Sequence, residues 1–256
     1  MSDSCISSFA IYIIRRTNHT GENFYMKLAF ITDLHYASTK NIYCPERSGE
    51  LAKQLLEKAV DTFNRSIQPD LLILGGDLVN DPADIALLQE LAKVLEKVEC
   101  PCFAIPGNHD PEPGIFYQYF SPLPDSLDMG GIRFMAFPED RQTAGYNACR
   151  SSEDLKRIAE NSHDLPVVMI QHVPLFKPGT LNCIYNYDNA EEIFAVSGNV
   201  TVSLSGHYHS GYSPSDDSPF TTIAVPALCE GKFPFAVMDL DQNGKLTSYQ
   251  LHYLAE

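Results

Sequence analysis

The chain has 256 residues, 44% of them hydrophobic, and a formal net charge of −15 with histidines neutral. That length and apolar content can bury one sizeable core, so one catalytic domain is expected rather than two. The acidic balance repels phosphate backbones and argues against non-specific nucleic-acid binding, yet bound divalent cations reverse the local field, which leaves a small phosphate-bearing substrate open.

The seven cysteines are odd in number and scattered, with no CxxC pair. Cys100-Pro101-Cys102 is too tight for the usual zinc spacing, so reduced and mostly buried thiols are expected, which points to the cytoplasm. Near the N-terminus, the apolar run at residues 9–14 is too short to span a bilayer. It follows Asp3, precedes Arg15-Arg16 and has no small-residue cleavage site, so it does not read as a signal peptide. No other window is long enough for a membrane helix.

In chain order, residues 27–32 (KLAFIT) read as a buried strand. Leu51, Leu55, Leu56, Ala59, Val60 and Phe63 then follow a helical spacing over residues 50–63. Pro69 breaks it, and residues 71–74 form a second apolar run. Ile85, Leu88, Leu91, Ala92, Leu95 and Val98 repeat the helical pattern, and residues 102–105 read as a third strand. Strand, helix, strand, helix, strand predicts a parallel sheet with right-handed crossovers. Later strands are expected at 132–137, 167–171, 200–204, 220–225, 235–240 and 246–254. Asp241-Gln242-Asn243-Gly244 makes a hairpin-like turn between the last two, so the C-terminal part reads as antiparallel or mixed. Residues 111–124, rich in Pro and Gly, read as a loop.

A polar cluster follows five of these strands: Asp33-Leu34-His35, Gly75-Gly76-Asp77, Gly107-Asn108-His109-Asp110, His172, and Gly206-His207-Tyr208-His209. In open α/β sheets ligands bind beyond the carboxyl ends of the strands, so the five would converge on one sheet edge. Asp33 and His35 lie two apart, as do His207 and His209, a spacing that lets both side chains of each pair face one way from extended backbone. Gly76, Gly107 and Gly206 permit sharp turns and close backbone approach. Mixed imidazole, carboxylate and amide donors suit Mn, Fe, Zn or Co rather than a structural zinc.

In their order and approximate spacing, DLH at 33–35, GD at 76–77, GNHD at 107–110, His172 and GHYH at 206–209 resemble the five motifs of the calcineurin-like metallophosphoesterase superfamily. The resemblance covers about residues 26–256. It implies an α/β fold: a single-domain, four-layer α/β/β/α sandwich of two mixed sheets flanked by helices. It also implies a cofactor of two divalent metal ions. Asp33, His35 and His209 would hold the first, Asn108, His172 and His207 the second, and Asp77 would bridge them. His109 would sit over the phosphate and stabilise or protonate the leaving oxygen, with Asp110 orienting it through a hydrogen bond. The implied reaction is in-line attack of a metal-bridging hydroxide on phosphorus. Small members of this group often begin at a position equivalent to Met26. Residues 1–25 therefore read as a dispensable extension, or as a stretch ahead of the true start.

Several branches fit poorly. Protein Ser/Thr phosphatases carry GDxVDRG and GNHE, purple acid phosphatases need a Tyr ligand where Asn80 stands, and lipid A precursor hydrolases carry Arg in place of His109. The chain has no room for the capping domain of the repair nucleases. DLHY, GGDLVND, PGNHD, QHVP and SGHYH are similar to the small group that includes class III cyclic nucleotide and glycerophosphodiester phosphodiesterases. A phosphodiesterase is therefore expected, acting on a small phosphate ester such as a cyclic nucleotide. A phosphomonoesterase on the same site is the alternative, and a non-catalytic scaffold a third reading. Tyr36, Asn80 and Tyr208 are candidate substrate contacts, whereas loop packing is the favoured reading for residues 185–187. Specificity is expected to lie in residues 111–147 and 175–189.

Overall fold

The computed structural model describes residues 25–122, 124, 126–138, 140–161, 165–180, 184–216 and 218–255. The short apolar segments become strands because each is buried on both faces. β1 (Met26–Ile31) shows the pattern. Its Ala29 and Ile31 pack with the helices on one side, while Leu28 and Phe30 pack toward a second sheet on the other, as the two-residue period of a strand requires. α1 (Ala52–Thr62) and α2 (Ile85–Leu95) bury Leu55, Leu56, Ala59, Val60, Leu88, Leu91 and Val94 against that first face. Burying a Leu or Phe fully, as at Leu56 or Phe63, stabilises by about 1.5–3 kcal/mol.

β2 (Leu71–Leu74) and β3 (Cys102–Ala104) run parallel to β1. A short helix α3 (Pro113–Phe116) lies in the segment expected to be loop and sinks Phe116 into the core. Then come β4 (Leu127–Met129), β5 (Ile132–Ala136), β6 (Arg141–Gln142), β7 (Ala148–Cys149) and α4 (Ser152–Asn161). β8 (Val167–Ile170), α5 (Ala190–Val196), β9 (Val200–Ser205), β10 (Tyr212–Ser215), β11 (Thr221–Ala224), β12 (Pro234–Leu240) and β13 (Leu246–Tyr253) complete the order.

The first sheet has the order β13-β12-β1-β2-β3 and the second β10-β11-β9-β8-β5-β4, while β6 and β7 form a separate hairpin. β12 joins β1 and β13 antiparallel, so both large sheets are mixed. Leu28, Phe30, Ile73, Phe134, Val168, Ile170, Val202, Ala236 and Met238 fill the space between the sheets. Met135, Met169, Ile158, Ile193 and Phe220 pack α4 and α5 on the outer face of the second sheet. The result is the expected four-layer α/β/β/α sandwich.

Two expectations change in detail. The five polar clusters do not share one sheet edge: those after β1, β2 and β3 belong to the first sheet, and those after β8 and β9 to the second. They meet where the carboxyl ends of two stacked sheets face each other. Likewise, Asp33, His35 and His207 do not leave extended backbone, because their φ values are 55°, 44° and 63°. The apolar run at residues 9–14 and most of the N-terminal extension lie outside the described residues, as do His19 and His163. Among the described residues no helix is long and apolar enough to cross a membrane.

Candidate metal centre

The loops that carry the site continue the pairing of β1 with β2. Asp33 N–H donates to the Gly76 carbonyl, His35 N–H to Asp77 and Tyr36 N–H to Leu78, each at 2.9 Å. This ladder holds Asp33, His35 and Asp77 in the left-handed region, with φ 52° at Asp77. Such a conformation costs a non-glycine residue about 1–3 kcal/mol and persists only where the surroundings over-determine it. The glycines have a packing reason. A Cβ on Gly107 would collide with the Asp77 carboxylate and the His172 ring, and one on Gly76 would come within 2.6 Å of His172 Nδ1.

The carboxylates are buried and only partly satisfied. Asp33 Oδ2 accepts from Thr32 Oγ1 at 2.6 Å and from His207 N–H at 2.9 Å. Its Oδ1 faces His209 Nε2 at 3.2 Å and His35 Nε2 at 3.8 Å. Asp77 Oδ1 accepts from His109 N–H at 2.8 Å. Its Oδ2 lies 3.3 Å from His172 Nε2 and 3.6 Å from His35 Nε2. The Asn108 Oδ1 is buried without a hydrogen-bond partner.

Three of the histidines have their outer nitrogen committed. His172 Nδ1 lies 2.7 Å from the Gly75 carbonyl, and His207 Nε2 lies 3.0 Å from the Tyr146 carbonyl. A carbonyl accepts only from a protonated nitrogen, so His172 Nε2 and His207 Nδ1, 3.3 Å apart, are the atoms left facing inward. His209 Nδ1 lies 2.5 Å from Glu230 Oε1. Its Nε2 is 3.1 Å from His35 Nε2.

Potential ligand atoms therefore fall into three overlapping groups: Asp33, His35 and His209; His35, Asp77 and His109; Asp77, His172 and His207. Asp77 belongs to two of them, as does His35, but only Asp77 joins the His172–His207 pair to the rest. The electrostatics fit cations. Burial raises the Asp33 carboxyl, but the hydrogen bond and charge of His209 outweigh it and bring the pKa to about 2. Asp77 is held well below its ordinary value, because His172 and His35 outweigh burial. Burial lowers His209 and His172, yet Asp33 with Glu230 pushes the former up to about 10 and Asp77 the latter up to about 9. Two buried carboxylates thus retain protons on neighbouring imidazoles, and divalent cations would displace those protons on binding. With Asn108 Oδ1 unsatisfied, the donor set fits two such ions.

The other expected residues fall as follows. His109 packs edge-on against His35, with ring centroids 4.7 Å apart, and its Nδ1 lies 2.9 Å from the Asn80 carbonyl. Asn80 therefore touches the site through its backbone. The expected hydrogen bond from His109 to Asp110 is absent. Asp110 is buried and accepts instead from the backbone N–H groups of Gly107 (2.8 Å), Leu78 (2.9 Å) and Val79 (3.0 Å). Its carboxylate ties the loop after β3 to the loop after β2. Burial and the Asp77 charge push it up to about 7 against those donors. Tyr36 is also corrected as a substrate contact: it is buried and its hydroxyl donates to Glu90 Oε2 at 3.0 Å, on α2. Tyr208 stays beside the site, with its ring 6.1 Å from Tyr185.

Sequence reasoning missed Glu230. It lies in the turn between β11 and β12, where an acid interrupts an apolar stretch, and no motif marks it. It holds His209 Nδ1 and lies 3.8 Å from Arg47 Nε, the arrangement of a carboxylate orienting a metal-ligating imidazole. Replacing Glu230 by Ala should weaken one of two metal equivalents on the order of 10–100-fold in a metal titration. Unchanged affinity would show that Glu230 serves only the loop.

Known proteins resemble this chain in sequence and in fold. A probable cyclic nucleotide phosphodiesterase of Coxiella burnetii is 25% identical over 80% of this chain and 84% of its own length. The 3′,5′-cyclic adenosine monophosphate phosphodiesterase CpdA of Haemophilus influenzae is 24% identical over 80% and 77% respectively. Among solved structures, a dimetal phosphatase from Danio rerio superposes with a TM-score of 0.67 at 16% identity, over 90% of this chain and 99% of that one. The family model for calcineurin-like phosphoesterases matches residues 26–211. That span is well over half of the sequence and includes all five clusters, so the chain belongs to the calcineurin-like phosphoesterase family and is a metal-dependent phosphoric ester hydrolase.

Proposed function

We propose that the protein hydrolyses small phosphodiesters, with 3′,5′-cyclic nucleotides as the leading class. The observation that carries this is Asp77: one buried carboxylate lies between the His35 side of the site and the His172–His207 side. The names of the relatives supply the diester preference. We assign Asp33, His35 and His209 to one divalent ion, Asn108, His172 and His207 to the other, and Asp77 to both. The donor chemistry suits Mn, Fe, Zn or Co. The bound ions would lower the pKa of water to supply the nucleophile and would neutralise the phosphate oxygens.

The chain's own residues orient and close this chemistry. The carbonyls of Gly75 and Tyr146 and the Glu230 carboxylate fix three imidazole rings. Asp33 and Asp77 supply the negative field. His109 keeps Nδ1–H on the Asn80 carbonyl, so Nε2 is the position that exchanges a proton. As the new P–O bond forms, the ester P–O bond breaks, and the departing oxygen takes its proton from His109 Nε2. Free thiols at Cys44, Cys100, Cys102, Cys149 and Cys229 support a cytoplasmic location.

Rates on an aryl monoester, an aryl diester and cyclic nucleotides, measured with Mn added, should favour the diesters. A preference for the monoester would replace this reading with a phosphomonoesterase. Neither hydrolysis nor metal uptake would leave a scaffold.

A further inference from the structure

We propose that Tyr146 and Tyr185, with Tyr208 beside them, form a subsite that stacks the planar base of a nucleotide substrate. The idea rests on the phosphodiesterase reading and adds a residue set that binds the non-reacting end of the substrate.

The β6–β7 hairpin puts Tyr146 next to the site. Gly145 and Tyr146 both adopt positive φ, 71° and 62°. This turn brings the Tyr146 carbonyl to His207 Nε2 while the Tyr146 side chain stays 59% exposed. A large ring held in a strained backbone, next to a predicted ligand and open to solvent, has no packing role in the core. Strain of this kind collects at ligand-binding positions. Tyr185 approaches from the other loop. Its ring lies 4.6 Å from the His207 ring and 6.5 Å from Tyr146, edge-on to both. Tyr208 lies 6.1 Å from Tyr185. Tyr146 and Tyr185 thus both lie beside His207, at 6.4 Å and 4.6 Å between ring centroids.

The two loops are held rigidly to each other, which a preformed subsite needs. Ala148 N–H donates to the Asn186 carbonyl at 3.0 Å, and Asp188 N–H returns to Ala148 at 2.8 Å. Beneath them the buried Arg150 pairs with Asp140 through Nε (3.1 Å) and Nη2 (2.7 Å). It also donates to the Tyr187 hydroxyl at 3.1 Å and lies 3.6 Å over the Phe137 ring. Tyr187 is thereby structural, while its neighbour Tyr185 faces the metal centre. Because the protein carries −15, a neutral stacking surface recognises a nucleotide without adding repulsion.

The test is binding to the Mn-loaded protein by calorimetry, with adenosine 5′-monophosphate and ribose 5-phosphate as probes. Both carry the phosphate, and only one carries the base. Wild type should prefer the nucleotide on the order of 10-fold, the scale of one base–aromatic stack. In Tyr146→Ala/Tyr185→Ala that preference should collapse toward 1, while Tyr146→Phe/Tyr185→Phe should keep it. An unchanged preference in the alanine variant, or none in wild type, overturns the subsite. These readouts do not depend on turnover, so failure to hydrolyse diesters would overturn the activity while leaving the base preference measurable.

Discussion

Replacing Asp77 by Ala is expected to remove both metal ions and to lower diester hydrolysis by more than about 1000-fold, beyond the cost of deleting one transition-state hydrogen-bond donor. Among the described residues that could ligate a cation, Asp77 alone is grouped both with His35 and with the His172–His207 pair. Asp77 Oδ2 faces His172 and His35, which we assign to different ions, while Oδ1 anchors the backbone of His109. Asp77→Asn separates charge from shape. Its carbonyl oxygen can still accept from His109 N–H, but the negative charge that draws the cations is gone. That variant should also lose most of its metal, whereas loss confined to the Ala variant would assign Asp77 a mainly structural role. Elemental analysis after dialysis against a defined metal buffer reads the outcome directly. Retention of two equivalents by Asp77→Ala would refute the bridging assignment.

The site was legible where the chain itself changes character. Each buried strand is a short apolar run, and a polar residue right after such a run must sit at a strand end, so Asp33, Asp77, Asn108, His172 and His207 could be placed from the sequence. What their side chains meet could not. The acceptors that fix His172, His207 and His109 are the carbonyls of Gly75, Tyr146 and Asn80, which any residue possesses. Glu230 reaches His209 across 21 residues with no motif around it. Asp110 differs for a related reason: the resemblance implied a carboxylate–imidazole pair with His109, but the backbone N–H groups of Gly107, Leu78 and Val79 made the stronger demand on a buried carboxylate. Short elements were also hard to see. β6 is two exposed residues, Arg141 and Gln142, with no apolar pattern, and α4 carries its helical spacing on only three apolar residues, Leu155, Ile158 and Ala159, of which Ile158 alone is fully buried. The extended spacing inferred for Asp33 and His35 failed because left-handed turns, not strands, carry them.

His109→Ala should retain both metal ions and still lose on the order of 100- to 10,000-fold in kcat, the range of a general acid. The retention matters because a potential ligand nitrogen of His109 falls in one group with His35 and Asp77. If His109 were a ligand, its removal would release an ion, and the proton-donor role would fall with it. A second dependence isolates the proton transfer. A nitrophenolate leaves readily without protonation, whereas the alkoxide expelled from a 3′,5′-cyclic nucleotide does not. The loss should therefore be much larger for cyclic nucleotides than for an aryl diester, because only the poor leaving group needs the acid. A loss equal for both substrates would instead make His109 an electrostatic contact to the phosphate. Substituting Asn tests the remaining possibility, that the ring merely supports His35 through the edge-on contact at 4.7 Å. A smaller polar side chain removes most of that packing, so a drop in metal affinity with kcat preserved at saturating metal would identify support rather than acid catalysis.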